Sequence, residues 1–184
     1  MHNEEIVYPL RRIITGLNAK GSSVVHIDGP PAAVHEFSVG AGLYEIWTDT
    51  GGELSRHDER DHGEGAVSLC PSQGGTKIRW FTVTPSQENV SPEELEVAAR
   101  DAFGSVNAAG HRPDTTRHAG MHLTPTIDFI ILVKGQVRLV LDEGERLLSP
   151  GDVVVQRGTN HAWVCEGDEP AILVAVLIDK QFAD

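Results

Sequence analysis

The rhythm of the C-terminal part constrains this chain more than any other feature. Phe129 to Val133, Val137 to Leu141, Val153 to Val155, Ala162 to Cys165 and Ile172 to Ile178 are short apolar runs. Between them stand Lys134-Gly135, Glu143-Gly144, Pro150-Gly151-Asp152 and Gly167-Asp168. Runs this short do not make helices, and turn signals this closely set let each strand pair only with an antiparallel neighbour. The pattern predicts an antiparallel sandwich or barrel.

The first half is β-rich but less regular. Ser22 to Asp28, Leu43 to Thr48 and Thr76 to Thr84 carry the β-branched and aromatic residues that strands favour, and they predict extra strands laid against a sheet. Gly51 to Gly65, with its His57-Asp-Glu-Arg-Asp-His62 cluster, has almost nothing to bury and reads as a solvated surface loop that binds metal only adventitiously. One helix is predicted. Ser91 offers an N-cap hydroxyl, Pro92 fits the first helical position, and Glu94 can bond back to the cap. Leu95, Ala98, Ala99, Ala102, Phe103 and Val106 then form a narrow apolar stripe, so this helix, near 91–107, is read as structural. Residues 1–110 are thus expected to form an N-terminal β extension with one helix, packing on a barrel domain of residues 111–184. The first half holds no second copy of the later region.

Composition removes several function classes. With 184 residues, 40% of them hydrophobic, the chain can bury a core without disulfides or structural metal. A net charge of −12 repels nucleic-acid phosphates and anionic lipid, so neither is expected as a partner. Cys70 and Cys165 form no Cys-x-x-Cys pair and suit a reducing cytosol. The start of the chain, with His2, Glu4 and Glu5, lacks a basic segment followed by an apolar one, and no run approaches the length of a membrane span. A soluble cytoplasmic protein is expected. There is no Gly-x-Ser-x-Gly elbow, phosphate loop or dinucleotide turn.

Histidines and a carboxylate can share a centre in one place only. On a strand, His122 and Thr124 face the same side about 7 Å apart, whereas His118 lies about 13 Å from His122 and belongs at a pocket mouth. Pro125 cannot continue an inner strand, so a turn there lets Asp128 begin the next strand facing back. His161 follows the Gly158-Thr-Asn corner and heads another strand, with Trp163 and Cys165 alternating onto its face. Three strands would thus bring His122, Asp128 and His161 together.

These residues resemble the cupin superfamily. Its first motif runs from a glycine through His-x-His to Glu and a later Gly; its second runs through Pro-x-Gly-x-x-His to Asn. His122 stands where the first histidine would be, Asp128 where the Glu would be, and Gly135 where the later Gly would be, with residues 129–134 between them. Pro150-Gly151-Asp152 and Gly158-Thr-Asn-His161 resemble the second motif, which gives His161 the place of the third histidine. The resemblance spans residues 118 to 179 and implies an all-β fold, a cupin (jelly-roll) β-barrel with an N-terminal strand extension and one α-helix. The departures are Thr124 for the second histidine, Asp128 for Glu, Gln156 for proline and Cys165 for Asn.

A threonine is a poor ligand for a transition metal, so the implied site shrinks to His122, Asp128 and His161, a two-histidine, one-carboxylate set for a divalent ion: Fe, Mn, Ni or Zn. A metal would supply a Lewis acid. Without one, an inward histidine beside an aspartate is an acid–base pair, or the group merely satisfies its own hydrogen bonds. Thr124, Trp163 and Cys165 are expected to line the pocket, with Trp163 stacking on a planar substrate. Arg157 is a candidate for binding a substrate carboxylate, weighed against a surface role. The resemblance implies a metal-dependent enzyme acting on a small oxygenated organic molecule by lyase, decarboxylase, dehydratase or isomerase chemistry. Iron-dependent dioxygenation, non-catalytic ligand binding and a purely scaffolding barrel stay open. Exposed sheet edges imply a homodimer.

Overall fold

The computed structural model describes residues 10–86 and 90–183. The opening segment with His2, Glu4 and Glu5 lies outside the described residues. Eleven strands and one α-helix follow in order: β1 Arg12–Leu17, β2 Ser23–Gly29, β3 Val34–Ser38, β4 Ala41–Asp49, β5 Thr76–Val83, α1 Pro92–Ser105, β6 Thr126–Lys134, β7 Gln136–Leu141, β8 Glu145–Leu148, β9 Val153–Arg157, β10 His161–Glu166 and β11 Ala171–Asp179. A 3-10 turn, Ala109–His111, separates α1 from the β6–β11 region.

These strands form an antiparallel all-β barrel. A six-stranded sheet in the order β3-β4-β5-β11-β6-β9 faces a three-stranded sheet, β10-β7-β8, while β1 and β2 pair by themselves. The alternation read from the sequence holds. Along β6, Thr126, Asp128, Ile130 and Leu132 are buried, and along β11 Ala171, Leu173, Ala175 and Leu177 are buried, because a strand sends successive side chains to opposite faces. They meet Val137, Leu139, Leu148 and Cys165 of the opposing sheet in one core. Gly135 alone joins β6 to β7. Its φ of +83° disfavours side chains, and a Cβ there would stand 2.9 Å from the Ala171 backbone.

The predicted extra strands are present as β2, β4 and β5, and the last is deeply integrated. β5 lies between β4 and β11, pairing with β11 from Thr76 opposite Ile178 to Val83 opposite Ala171. β1, β3 and β8 have no counterpart in the sequence reading. β1 carries Ile13, Ile14 and Thr15, which the sequence reading passed over, while β3 and β8 are only five and four residues long and are ordered by their partners.

Two expectations need correction. The predicted helix exists with its complete capping box, Ser91 accepting from the Glu94 N–H and Glu94 from the Ser91 N–H, but it is not merely structural. None of its residues is fully buried, Leu95 and Val97 are exposed, and its other face walls a cavity; the chain is anchored just beyond it, where Val106 and Ala108 pack on Leu43. The tract from Gly51 to Gly65 is a loop, as predicted, but it is pinned by charge. Asp61 takes the guanidinium of Arg12, which is only 6% exposed and also donates to the carbonyls of Pro30 and Ile46. His62 stacks on Trp47 and bonds Asp58 at 3.0 Å. The loop buries ion pairs where apolar residues are lacking.

Candidate active site

A cavity of about 280 Å³ opens between the two sheets, small for a ligand pocket. The six-stranded sheet contributes Leu43, Arg79, Phe81, Asp128, Ile130, Ala175 and Leu177; the three-stranded sheet contributes His161 and Trp163; α1 closes it with Ala99, Ala102 and Phe103. His122 and Thr124 complete the wall from the segment before β6. The lining is mainly apolar and aromatic, with a few polar groups set into it.

The bend at Pro125 expected from the sequence is present, and β6 starts immediately after it. His122 is joined to His161 as an isolated antiparallel bridge, which adds one rung to the free side of β10. Their rings lie 4.3 Å apart between centroids; Phe103 stands 4.9 Å from His122, and Trp163 meets His161 edge-on at 5.4 Å. Each imidazole is held by its own backbone neighbourhood. Nδ1 of His122 lies 3.0 Å from the Gly120 carbonyl, and Nδ1 of His161 lies 2.8 Å from the Thr159 carbonyl. A carbonyl can only accept, so each Nδ1 carries the hydrogen and each Nε2 carries the lone pair.

Burial pushes His122 down to about 4 and His161 down to about 3, the latter also through its histidine neighbour. Both are neutral near pH 7. Asp128 moves the other way. Burial raises its carboxyl to about 6 against the opposing pull of the Thr126 hydroxyl and the Arg79 charge, and its Oδ1 is buried without a hydrogen-bond partner. Thr124 and Thr126 bond each other through their hydroxyls at 2.7 Å, so Thr124 is occupied within the wall.

His122, Thr124, Asp128, His161 and Trp163 of the sequence-predicted set therefore line one cavity. Three others do not. Cys165 is packed in the core and donates to the Glu169 carbonyl, Nδ1 of His118 accepts from the Gly120 N–H, and Arg157 is exposed at the end of β9. As positioned, no three His, Cys, Asp or Glu groups among the described residues stand close enough together to hold one ion. The donors still fit a divalent cation in kind: two neutral imidazoles with free Nε2 lone pairs, and a carboxylate with an orphaned oxygen on the facing sheet.

Sequence reasoning missed the charged wall. Glu45, Lys77 and Arg79 sit side by side on the inward face of β4 and β5, all nearly inaccessible. Nη2 of Arg79 is 2.9 Å from Glu45 and donates to the Ser68 carbonyl at 2.6 Å; Lys77 reaches the same carbonyl and lies 3.9 Å from Glu45. Charge at alternate positions of Thr76–Val83 ordinarily marks a solvent face, and only the mixture of a lone inward acid, Glu45, with two bases hinted otherwise. Cys70 faces Nε2 of His111 at 3.7 Å, but burial and the charge of Asp128 push its thiol up to about 11, so it is no thiolate nucleophile.

Comparison with known proteins agrees with this architecture. Residues 111–177 match the family model described as a cupin domain. A phomopsin biosynthesis cluster protein, C', of Diaporthe leptostromiformis is 57% identical over 44 residues, 23% of either chain. The cupin-domain-containing oxidoreductase srdD of Neurospora crassa is 44% identical over 69 residues, 35% of either chain. The chain thus spans no more than about a third of the length of these curated relatives. Among solved structures, a Cupin 2 conserved barrel domain protein from Salinispora arenicola CNS-205 is 19% identical, covers 56% of this chain and 63% of its own, and gives a TM-score of 0.36.

Proposed function

We propose that the barrel of this chain, whose residues 111–177 match the cupin domain family, is the active centre of an enzyme in which a divalent metal ion, held by His122, His161 and Asp128, serves turnover of a small, largely apolar organic molecule. One observation carries the reading. Both histidines spend Nδ1–H on a backbone carbonyl and keep Nε2 as a lone pair, the form in which imidazole binds metal. A proton-relay role fits them poorly, since catalytic acids and bases work best with a pKa near the working pH, and theirs lie near 4 and 3.

The remaining roles follow from the walls. Phe81, Phe103 and Trp163 exclude water and offer faces against which a planar body can lie. Asp128 would serve as a ligand with the ion bound; without one, its carboxyl, raised to about 6, is the group able to hold or release a proton at Oδ1. A bound iron, manganese, nickel or zinc ion would add a Lewis acid, and the first two an electron-exchanging centre. Relatives named as cupin-domain-containing oxidoreductases support redox turnover. The Lewis acid that such an ion supplies also serves the second reading, a lyase, decarboxylase, dehydratase or isomerase.

Elemental analysis of untagged protein, compared with His122→Ala and His161→Ala, tests the metal. Near-stoichiometric metal in the wild type and its loss from both variants is expected. A wild type that stays empty after incubation with each of the four ions sinks the metal reading and leaves ligand binding or metal-free acid–base chemistry. Oxygen uptake by loaded protein separates the two reaction classes.

We also propose a homodimer. Phe129, Val133, Val153 and Val155 leave an apolar patch exposed on the outer face at the β9 edge, which a second copy would cover. Analytical ultracentrifugation giving only monomer at micromolar concentration would reject it.

A further inference from the structure

Arg79 is 1% exposed, yet it lines the cavity. Its one hydrogen bond among the described residues runs from Nη2 to the Ser68 carbonyl, and Nη2 also pairs with Glu45; Nε and Nη1 are buried without a hydrogen-bond partner, as are both carboxylate oxygens of Glu45. More than nine-tenths of buried polar groups in folded proteins find a partner, so two orphaned donors on one guanidinium call for an explanation. Asp128 Oδ1 is orphaned on the same cavity. In the sheet register Arg79 stands opposite Ala175, a side chain of one methyl group, and Ala175 stands opposite Ile130 on the next strand. Glu45 cannot neutralise the wall alone, since Lys77 and Arg79 both lean on that single acid.

From this we infer that Arg79 is a specificity-determining residue, and that the cavity takes small aromatic carboxylates, with the carboxylate on the guanidinium and the apolar body between Phe81, Trp163 and Ile130. The Arg–carboxylate contact is charge-assisted and stronger than a neutral hydrogen bond, and it is stronger still where water is excluded. A ligand carboxylate offers acceptors to the orphaned Nε and Nη1 of Arg79. Asp128 Oδ1, orphaned on the same cavity, can accept from a ligand hydroxyl, so a hydroxyl on the ring strengthens binding further. A neutral amide of the same shape offers the guanidinium a weaker acceptor and no charge. This inference rests on the reading of the cavity as the substrate site, not on the metal.

The probes are benzoate, 4-hydroxybenzoate and phenylacetate, each against its neutral amide, titrated calorimetrically into the full chain with a chelator present so that no carboxylate binds through a metal. At least one acid is expected to bind about tenfold or more tightly than its amide. The Glu45→Gln/Arg79→Met double variant removes the ion pair as a unit, so no lone acid stays buried. It is expected to lose that preference while keeping its affinity for the amide. Because the chelator is present throughout, the preference is read without metal, which separates this inference from the metal reading. Acids that bind no better than their amides in the wild type overturn the assignment, whatever the variants do. So does a preference that persists in the double variant. Orphaned donors satisfied by water alone would give the first of these results.

Discussion

His122 and His161 exchange both of their backbone hydrogen bonds: the N–H of each donates to the carbonyl of the other at 2.9 Å. Two residues separated by the whole of β6 to β9 are thereby locked into one rung, and their rings follow at 4.3 Å. Backbone pairing fixes where the side chains start, and the Gly120 and Thr159 carbonyls fix which nitrogen each presents. The pair is set before any ligand arrives, which lowers the ordering cost of binding.

The position two residues beyond His122 offers a direct probe of that pair. Thr124 lines the same cavity, and its hydroxyl is spent on Thr126. Thr124→His should destabilise the metal-free protein by about 1 kcal/mol through loss of that buried bond. It should also tighten zinc binding by about tenfold or more by adding a donor, equivalent to about 1.4 kcal/mol. Thermal unfolding with and without added zinc checks both effects. An equal zinc-induced rise in Tm for wild type and variant would show that position 124 does not face the ion.

Helix α1 walls the cavity while burying none of its own residues fully, so its stability leans on its cap. Ser91→Ala removes the side-chain half of the capping box and should cost the helix about 1 kcal/mol. Hydrogen exchange should then quicken at the amides of 93–105 and stay unchanged in β10, because elements with little buried area open on their own. Uniform quickening across both would instead mean that α1 and the barrel open as one unit.

The C-terminal barrel was legible because its signals are local. Alternation in β6 and β11, the turn at Gly135 and the bend at Pro125 each follow from a few adjacent residues. His122, Asp128 and His161 were legible through the family resemblance and the geometry of the intervening turn. Arg79 and Phe103 were not. Arg79 reads as a surface residue until β5 is known to lie between β4 and β11, and pairings that distant leave no trace in a short window. The stripe carrying Phe103 was visible, but a stripe does not say whether it packs on a core or roofs a void. Arg12 and Asp61 are the same case, an ion pair whose burial depends on contacts far apart in the chain.

That pair yields the clearest dependence on pH. Arg12 holds the carboxyl of Asp61 below its ordinary 3.8, with help from the Gly63 N–H and against the cost of burial. A carboxyl depressed in the folded state contributes stability that is complete above its unfolded value and is lost as pH falls through the lower, folded one. The contribution should therefore be constant from neutral pH down to about 5, begin to fall near 4, and be lost only as pH passes through the folded value, which lies below 3.8. Asp61→Asn leaves Arg12, only 5% exposed at its side chain, without its charge partner. The cost at pH 7 should be on the order of 2–3 kcal/mol, less than for a fully buried pair because Asp61 keeps some contact with water. Urea unfolding of wild type and variant at a series of pH values from 7 to 3 measures it. The two curves should run parallel above pH 5 and converge below pH 4, since the wild type alone loses the interaction there. A gap that stays constant to pH 3 would mean that Asp61 acts through the Gly63 hydrogen bond and its shape rather than through its charge.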